Sequence, residues 1–473
     1  MKRMILATVI LVISFAAIAL PEPAPAPGPT FSGAVEAAAS ASASSSVWYC
    51  PWVDAGAEKD AAILMAATVD VDLVVTLPSP INDEQPDEAT RVITGPGAQI
   101  LTVGDLVRRG AAPGFVEYSD GPAATGTWVS GDQLLSGDRC TAAVSKFWHL
   151  PGLTTRQGRE VTLRLFNPFL PLAKVSVGGS TEFGALPLPE LATVDVPPRG
   201  WVDIDLNPLI PFFDDLTLFV TTEEGLVIPT VTMFGDGDEA NLPASGLSTT
   251  WEFPVVSVDT LTPTLMISNP GPGTATVTLD VFTTAGAIPA AASFEVGPDS
   301  PLRVALDEVV DGKFGLRLTS TGPVSAAVVA EDVLSDIGDA DDAAGDGDGD
   351  GDDGADEAPV AAIVDRIAGT VGAAFPSSRW LLPGAGTVPD AASSLWILNT
   401  DPEPATVTIQ PLGVGSLPAD KVIVAPGTVL EVPLAENVQI SGYLLDASIP
   451  VTAAWSAVRP NSVAFFAGTA LDV

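Results

Sequence analysis

The sequence predicts an all-β protein built from about four tandem β-sandwich modules. Its 473 residues include 43 prolines and 44 glycines, which favour many short strands joined by turns over long helices. Apolar and polar residues alternate in short segments along the whole chain, as in strands with one buried face. A Trp-then-Pro signature also recurs, and 473 residues are too many for one hydrophobic core.

The repeat begins at a tryptophan and continues through two strands. An alternating apolar strand after the tryptophan ends at asparagine in three copies, where Asn and Pro favour a turn. The next strand carries an Ala-x-Val-x pattern, and its copies begin at Ala67, Ala173, Ala275 and Ala405. The marker tryptophans are Trp48, Trp148, Trp251 and Trp380, and the turn asparagines are Asn167, Asn269 and Asn399. Repeats of about 100 residues with short strands favour immunoglobulin-like sandwiches.

The N-terminus predicts export. Lys2 and Arg3 precede an apolar run from Met4 to Leu20, the pattern of a signal peptide, and small residues at Ala17 and Ala19 allow cleavage. Retention of this run as a membrane-anchor helix is the alternative. We therefore expect an extracytoplasmic protein that is either secreted or anchored to the cell membrane. The membrane would be contacted only through this segment.

These patterns divide the chain into seven segments. The signal or anchor is followed by a Pro/Ala/Ser-rich stalk, four sandwiches and one acidic Asp/Gly-rich linker before the last sandwich. The expected bounds are 1–20 (signal or anchor), 21–46 (stalk), 47–143, 144–247 and 248–334 (sandwiches), 335–375 (linker) and 376–473 (last sandwich). Such an arrangement predicts an extended rod.

Charge and residue content exclude several function classes. A formal charge of −39 repels phosphate backbones, so nucleic acid is not expected as a partner. The single histidine, His149, lies beside a marker tryptophan, and no catalytic or phosphate-binding motif accompanies it. The two cysteines, Cys50 and Cys140, lie near the first and last strands of the first module, which predicts a structural disulfide in an oxidising compartment. We expect no catalytic residue, no cofactor and no enzymatic activity.

The acidic linker contains a candidate calcium loop. Carboxylates at alternate positions with glycine at the sixth resemble the calcium-loop pattern. The candidate ligands are Asp346, Asp348, Asp350, Asp352 and Glu357. Because amphipathic flanking helices are absent, the sequence favours a solvated linker that binds no ion, and calcium binding is the alternative. Calcium binding here is expected to be weak.

Trp396 is the candidate ligand-binding residue. It alternates with Leu395 and Ile397 in its strand, and the equivalent residues are Arg164 and Met266, so we expect its side chain to face away from the module core. An exposed tryptophan can stack on a sugar ring. The sequence favours shielding of Trp396 at a contact between modules over such a binding role.

Particular residues also carry a resemblance to a known family. Trp48-Tyr49-Cys50-Pro51, the recurring asparagine turns and Trp380-Leu381-Leu382-Pro383-Gly384 resemble an actinobacterial family of exported proteins of unknown function, domain-of-unknown-function family 5719. The resemblance implies an exported, envelope-associated protein and transfers no functional residues. The sequence thus favours a structural or interaction protein of the bacterial cell envelope, whose partner is an envelope protein or glycopolymer. A carbohydrate-binding protein is the alternative.

Overall fold

The structure is a computed structural model. It describes residues 47–471 except 57, 80–85, 106–109, 120, 236, 257–260, 333–365, 415–416 and 436–438. The all-β prediction is confirmed, since strands make up 66% and the described part contains no α-helix. No helix among these residues is long and apolar enough to cross a membrane. The predicted signal or anchor and the stalk lie outside the described residues.

The first unit comprises two four-stranded antiparallel sheets, in the orders β1-β6-β3-β4 and β5-β2-β7-β8. A 3₁₀ turn, Val103–Asp105, follows β5. Its strands are β1 (Val47–Asp54), β2 (Asp60–Ala67), β3 (Val71–Leu77), β4 (Asp87–Ile93), β5 (Gly97–Thr102), β6 (Ala111–Tyr118), β7 (Ala123–Ser130) and β8 (Leu135–Arg139).

The second unit repeats this plan with sheets β12-β11-β15-β9 and β14-β10-β16-β17, and β13 pairs with β11. A 3₁₀ turn, Pro189–Leu191, precedes β13. Its strands are β9 (Phe147–Leu153), β10 (Glu160–Asn167), β11 (Ala173–Thr181), β12 (Gly184–Leu186), β13 (Val194–Val196), β14 (Gly200–Asp205), β15 (Leu216–Glu224), β16 (Ile228–Phe234) and β17 (Glu239–Pro243).

In the third and fourth units one long strand, β23 or β30, belongs to both sheets. The first part of β23 pairs with β18 and β20, and its last part pairs with β19 and β24. The third unit contains β18 (Ser248–Phe253), β19 (Thr262–Asn269), β20 (Ala275–Thr283), β21 (Ala287–Val296), β22 (Ser300–Ala305), β23 (Phe314–Glu331) and β24 (Ile367–Val371). The fourth contains β25 (Ser377–Pro383), β26 (Ala392–Asn399), β27 (Ala405–Gly413), β28 (Asp420–Val424), β29 (Thr428–Pro433), β30 (Ile440–Arg459), β31 (Ser462–Ala467) and β32 (Thr469–Ala470).

The segment predicted as an acidic linker is partly a strand. β24 lies within 335–375 and pairs antiparallel with β23, from Ala327↔Val371 to Glu331↔Ile367. It is the counterpart of β8, β17 and β31, each of which forms the last hairpin of its unit. The acidic insertion therefore interrupts a hairpin within the third unit, and its base is closed by Arg366, whose Nε donates to Asp332 Oδ2 at 2.9 Å.

The ladder registers correct one sequence alignment. Asn167, Asn269 and Asn399 face Gly200, Ser300 and Thr428 across their sheets, and in the first unit Ala67 faces Gly97 at the same place. Ala67 is thus the counterpart of the turn asparagines. The predicted Ala-x-Val strand is confirmed in β11, β20 and β27. In the first unit residues 68–69 form a bend instead, and the corresponding strand, β3, begins at Val71.

The turn asparagines stabilise the fold in the predicted place. Asn269 is buried, its Nδ2 donates to Gly273 O at 2.7 Å and to Val296 O at 2.9 Å, and its Oδ1 accepts from Gly271 N at 2.9 Å. One side chain thereby ties a turn to the end of a neighbouring strand. Asn167 and Asn399 make the equivalent bonds.

Asn269→Ala is expected to lower the free energy of unfolding by about 2 kcal/mol, because it removes three hydrogen bonds and leaves the buried carbonyl of Val296 without a partner. Urea denaturation measures this loss. Thr276→Ala, at an exposed position of the adjacent β20, is the control and should change stability by less than about 0.5 kcal/mol. Equal stability of the two variants would contradict the role assigned to Asn269.

The four units form a closed ring rather than the expected rod. β8 contacts β17 and β31, and β24 contacts the same two strands, so the closing strands complete a cycle at the centre. One hydrophobic cluster joins the first and fourth units, another joins the third and fourth, and the largest includes residues of the first three. Small residues allow this approach, since a Cβ at Gly369 would lie 2.7 Å from Cδ2 of Leu242.

Candidate functional site

The ring axis contains the most unusual chemistry of the molecule, beginning with one buried carboxylate. Asp238, 1% exposed, lies immediately before the closing strand of the second unit. Its Oδ1 accepts from the backbone N–H of Leu135 at 3.0 Å and of Glu239 at 2.9 Å. Its Oδ2 accepts from Ile367 at 3.2 Å and from Val463 at 3.4 Å. These donors stand at the first or second residue of each closing strand, so one side chain links all four units; we call it the hub.

The hub also gives the ring a direction. Because all four closing strands begin at Asp238, they run the same way along the axis. Counting six residues onward from each of the four donor residues leads to Thr141, Ser245, Ala373 and Thr469. Each of these four residues pairs with the residue that follows a marker tryptophan. The register is therefore the same in all four units, with Asp238 at one end of the axis and the tryptophans at the other.

Two further acids lie along the axis beside the hub. Asp138 Oδ1 accepts from Arg139 N at 2.6 Å and, across the boundary to the fourth unit, from Ala467 N at 3.0 Å. Glu239 hydrogen-bonds with Ser136 of the first unit and forms a 3.2 Å ion pair with Lys59. The acidic side chains thus hold neighbouring units together.

Burial shifts the ionisation of these groups. It raises the pKa of Asp138 to about 7, against the opposing attraction of the Arg139 guanidinium. Burial likewise raises the pKa of Asp238, although four N–H donors favour its charged form, and raises the pKa of Glu239 despite Lys59. At the boundary of the third and fourth units burial raises the pKa of Glu252, which accepts hydrogen bonds from Thr400 and Thr452.

These shifts predict that the ring is more stable in mild acid. A carboxyl group whose pKa is raised on folding binds its proton more tightly in the native state, so its contribution is full near pH 4 and is lost as pH rises to about 7. Asp138 alone should make the free energy of unfolding fall by about 1.4 kcal/mol per pH unit across that window. Denaturation measured from pH 4 to 8 gives the slope. Asp138→Asn should reduce this slope by the amount that one proton contributes, about 1.4 kcal/mol per pH unit. Asp390→Asn changes an acid in an exposed turn and should leave the slope unchanged. Equal slopes in both variants would contradict the assignment.

A cavity lies at the opposite end of the axis from the hub. Its volume is about 80 Å³, and all four marker tryptophans line it, one from each unit. They are 1–3% exposed, whereas Phe375 at the rim is 39% exposed. Arg139 and Thr469 also line the cavity. The four tryptophans that mark the start of separate repeats in the sequence therefore meet at one place.

A second, open cleft of about 580 Å³ lies between the first and fourth units. Arg459 spans it, donating from Nη1 to Gly131 O at 2.9 Å and from Nη2 to Ser130 Oγ at 2.8 Å. Four acidic residues also line the cleft: Glu58, Asp60, Asp132 and Asp390. Among the described residues, however, no group of three or more His, Cys, Asp or Glu side chains is placed to hold a metal ion.

The structure confirms one of the predicted sites, corrects another and does not describe the third. The Cys50–Cys140 disulfide is confirmed, with a Cα–Cα distance of 4.7 Å. The prediction that Trp396 is exposed for ligand binding is wrong. Its side chain is 1% exposed, donates from Nε1 to Ser456 Oγ at 2.9 Å and packs with residues of the third unit. The Trp396 side chain does face away from the core of its own unit, but the third unit covers it. This agrees with the predicted shielding at a contact between modules. The candidate calcium ligands Asp346, Asp348, Asp350, Asp352 and Glu357 lie outside the described residues.

The sequence reasoning missed Asp238 and Asp138. The available signal was an acid at or beside a short strand that otherwise reads as buried, as in Leu135–Arg139. Burial of a carboxylate requires partners, and these come from units more than one hundred residues away in the sequence. A pattern within one repeat does not reveal them.

Comparisons with known proteins identify a family resemblance. The model of a family of unknown function, DUF5719, matches residues 118–346, which confirms the resemblance over that range. The motifs at Trp48 and Trp380 lie outside it, and actinobacterial origin stays a prediction. Among solved structures the chain is similar to Thermotoga maritima 1070, with 19% identity, 19% of this chain and 84% of that chain covered, and a TM-score of 0.17. No curated protein matches the chain.

Proposed function

We propose that this protein is an exported, non-enzymatic structural or interaction protein of the bacterial cell envelope. The observation that carries the proposal is the closed ring, in which a buried hub and continuous apolar interfaces hold four units in one arrangement. Such a body presents fixed loops to a partner. The disulfide supports an oxidising compartment, and the N-terminal charge and apolar pattern supports export.

Within this proposal each unit is an immunoglobulin-like sandwich. The two packed antiparallel sheets support the relation. The last two strands of the second unit, β16 and β17, lie in one sheet, as the last two strands of an immunoglobulin domain do. An experimental structure in which the two sheets of a unit do not pack face to face overturns it.

Cell fractionation and mass measurement test the location. We expect the protein in the envelope or the medium, with Cys50 and Cys140 oxidised. Its mass should show either loss of residues 1–19 or retention of the N-terminal segment as an anchor. Full-length protein with two free thiols in the cytoplasm overturns the proposal.

Envelope glycopolymer binding is the second candidate function, and exposed aromatic rings now favour it in place of Trp396. Phe183 is 84% exposed and Phe212 is 76% exposed, and the ring of Phe213 lies 6.3 Å from that of Phe183. Phe212 also adopts a left-handed backbone, with φ of 64°, which is costly for a bulky side chain. Apolar rings held on a surface can stack on sugars.

A polysaccharide pulldown with purified cell-wall glycopolymer tests this second function. Under it, the Phe183→Ala/Phe212→Ala double variant should lose at least about tenfold in binding, since two stacking contacts of about 1 kcal/mol each are removed. Ile423→Ala, which removes an aliphatic side chain that is 71% exposed on the fourth unit, is the matched control. Equal binding by both variants excludes the aromatic surface.

A further inference from the structure

The cavity at the tryptophan end of the axis combines apolar walls with an excess of hydrogen-bond donors. Arg139 is the one charged residue among those that line it, although the whole chain carries a formal charge of −39. The guanidinium donates from Nη1 to Gly468 O at 3.1 Å, which leaves further N–H groups. No carboxylate belongs to the lining.

Two of the four tryptophans, Trp48 and Trp148, add further hydrogen-bond donors that have no partner among the described residues. The indole N–H of Trp251 is bonded to Val324 O at 2.9 Å and that of Trp380 to Val451 O at 2.8 Å. Within the described part of the chain, by contrast, the buried Nε1 atoms of Trp48 and Trp148 have no hydrogen-bond partner. Buried polar groups without partners are uncommon in folded proteins, and water or a bound group satisfies them.

A buried hydroxyl group in the lining also lacks a hydrogen-bond partner in the part of the chain that the structure describes. Thr469, 3% exposed and also in the lining, has no hydrogen-bond partner for Oγ1 among the residues described. The unused groups come from the first, second and fourth units. The site is therefore assembled only when the ring closes.

The size and lining select a ligand class. A volume of about 80 Å³ is several times the roughly 10–15 Å³ that one water requires, so a molecule of a few heavy atoms fits. The planar fork of an arginine matches a carboxylate, and indole walls favour a short apolar body over a fully hydrated inorganic ion. We propose that this cavity binds a small monocarboxylate, whose carboxylate faces Arg139 and whose apolar part contacts the tryptophans. The inference goes beyond the proposed envelope role and does not depend on it.

Titration of the full chain with sodium propionate tests the site. Calorimetry should show saturable binding with a Kd of about 1 mM or tighter, in the range open to so small a ligand. In a sample labelled with ¹⁵N in the indole groups, propionate should shift the Trp48 and Trp148 N–H signals more than those of Trp251 and Trp380. Inorganic phosphate should bind at least about tenfold more weakly; equal affinity overturns the carboxylate assignment.

Variants separate binding from folding. Arg139→Met keeps the aliphatic stem and should abolish measurable binding, whereas Arg303→Met, which removes a partly exposed arginine outside the cavity, should leave it unchanged. Trp148→Phe, which keeps an aromatic ring but removes the N–H, should weaken binding severalfold and serves if Arg139→Met fails to fold. Absence of saturable propionate binding to the native chain, or unchanged binding in Trp148→Phe and Arg139→Met, overturns the proposal.

Discussion

Asp238→Ala is expected to cause the largest loss of stability of any single acidic substitution in this protein. The change leaves four backbone N–H groups without their acceptor, and each buried unpaired group costs about 1–3 kcal/mol. The free energy of unfolding should therefore fall by about 4 kcal/mol or more. Because the donors belong to four units, the loss should appear across the whole ring.

Amide hydrogen exchange provides the sharper measurement for Asp238. Protection should fall together at Leu135, Glu239, Ile367 and Val463, although these residues are far apart in sequence. Asp238→Asn keeps one acceptor oxygen and should lie between the wild type and Asp238→Ala. Asp311→Ala removes an exposed acid and is the control. If Asp238→Ala lost protection only at Glu239, the hub would be a local turn and not a connection between units.

Removal of the Cys50–Cys140 disulfide is expected to have the next largest effect. The two residues are separated by 90 positions, and closing a loop of this length stabilises a protein by about 4–5 kcal/mol in the chain-entropy model. Cys50→Ala/Cys140→Ala should lower the free energy of unfolding by that amount. The bond joins β1 to the residue that follows β8, so the variant should also loosen a closing strand of the ring.

Reducing agent supplies the control for the disulfide. The sequence contains two cysteines, so dithiothreitol should destabilise the wild type and leave the double alanine variant unchanged. Denaturant midpoints with and without the reagent give the comparison. A double variant as stable as the oxidised wild type would show that native packing alone positions these strands.

Local patterns predicted those features whose cause lies within one repeat. The turn asparagines were found because Asn accepts and donates short-range backbone bonds, and the disulfide was found because its two strands open and close one unit. Trp396 shows the limit of such reasoning. Its period-two position correctly placed it outside its own core, but burial depends on what covers that face, and the cover comes from the third unit.

The acidic insertion shows a second limit. Composition marks a solvated segment but carries no information about which strands pair on either side of it. The predicted end of the third sandwich at residue 334 therefore placed β24 in the linker. In the structure β24 forms a hairpin with β23. All five residues of β24 are buried, so the strand lacks the alternation by which a half-exposed strand is recognised.

By itself, the sequence determined that this protein is all β, that one pattern recurs along it, and where its disulfide forms. These depend on alternation, turn chemistry and two cysteines, all of which act over short range or within one unit. Only the tertiary structure decided that the units close into a ring, that Asp238 links them, and that four tryptophans surround one cavity. The physical reason is that hydrogen bonds and apolar contacts between distant segments depend on which surfaces meet, and a repeat presents similar surfaces whether it forms a rod or a ring.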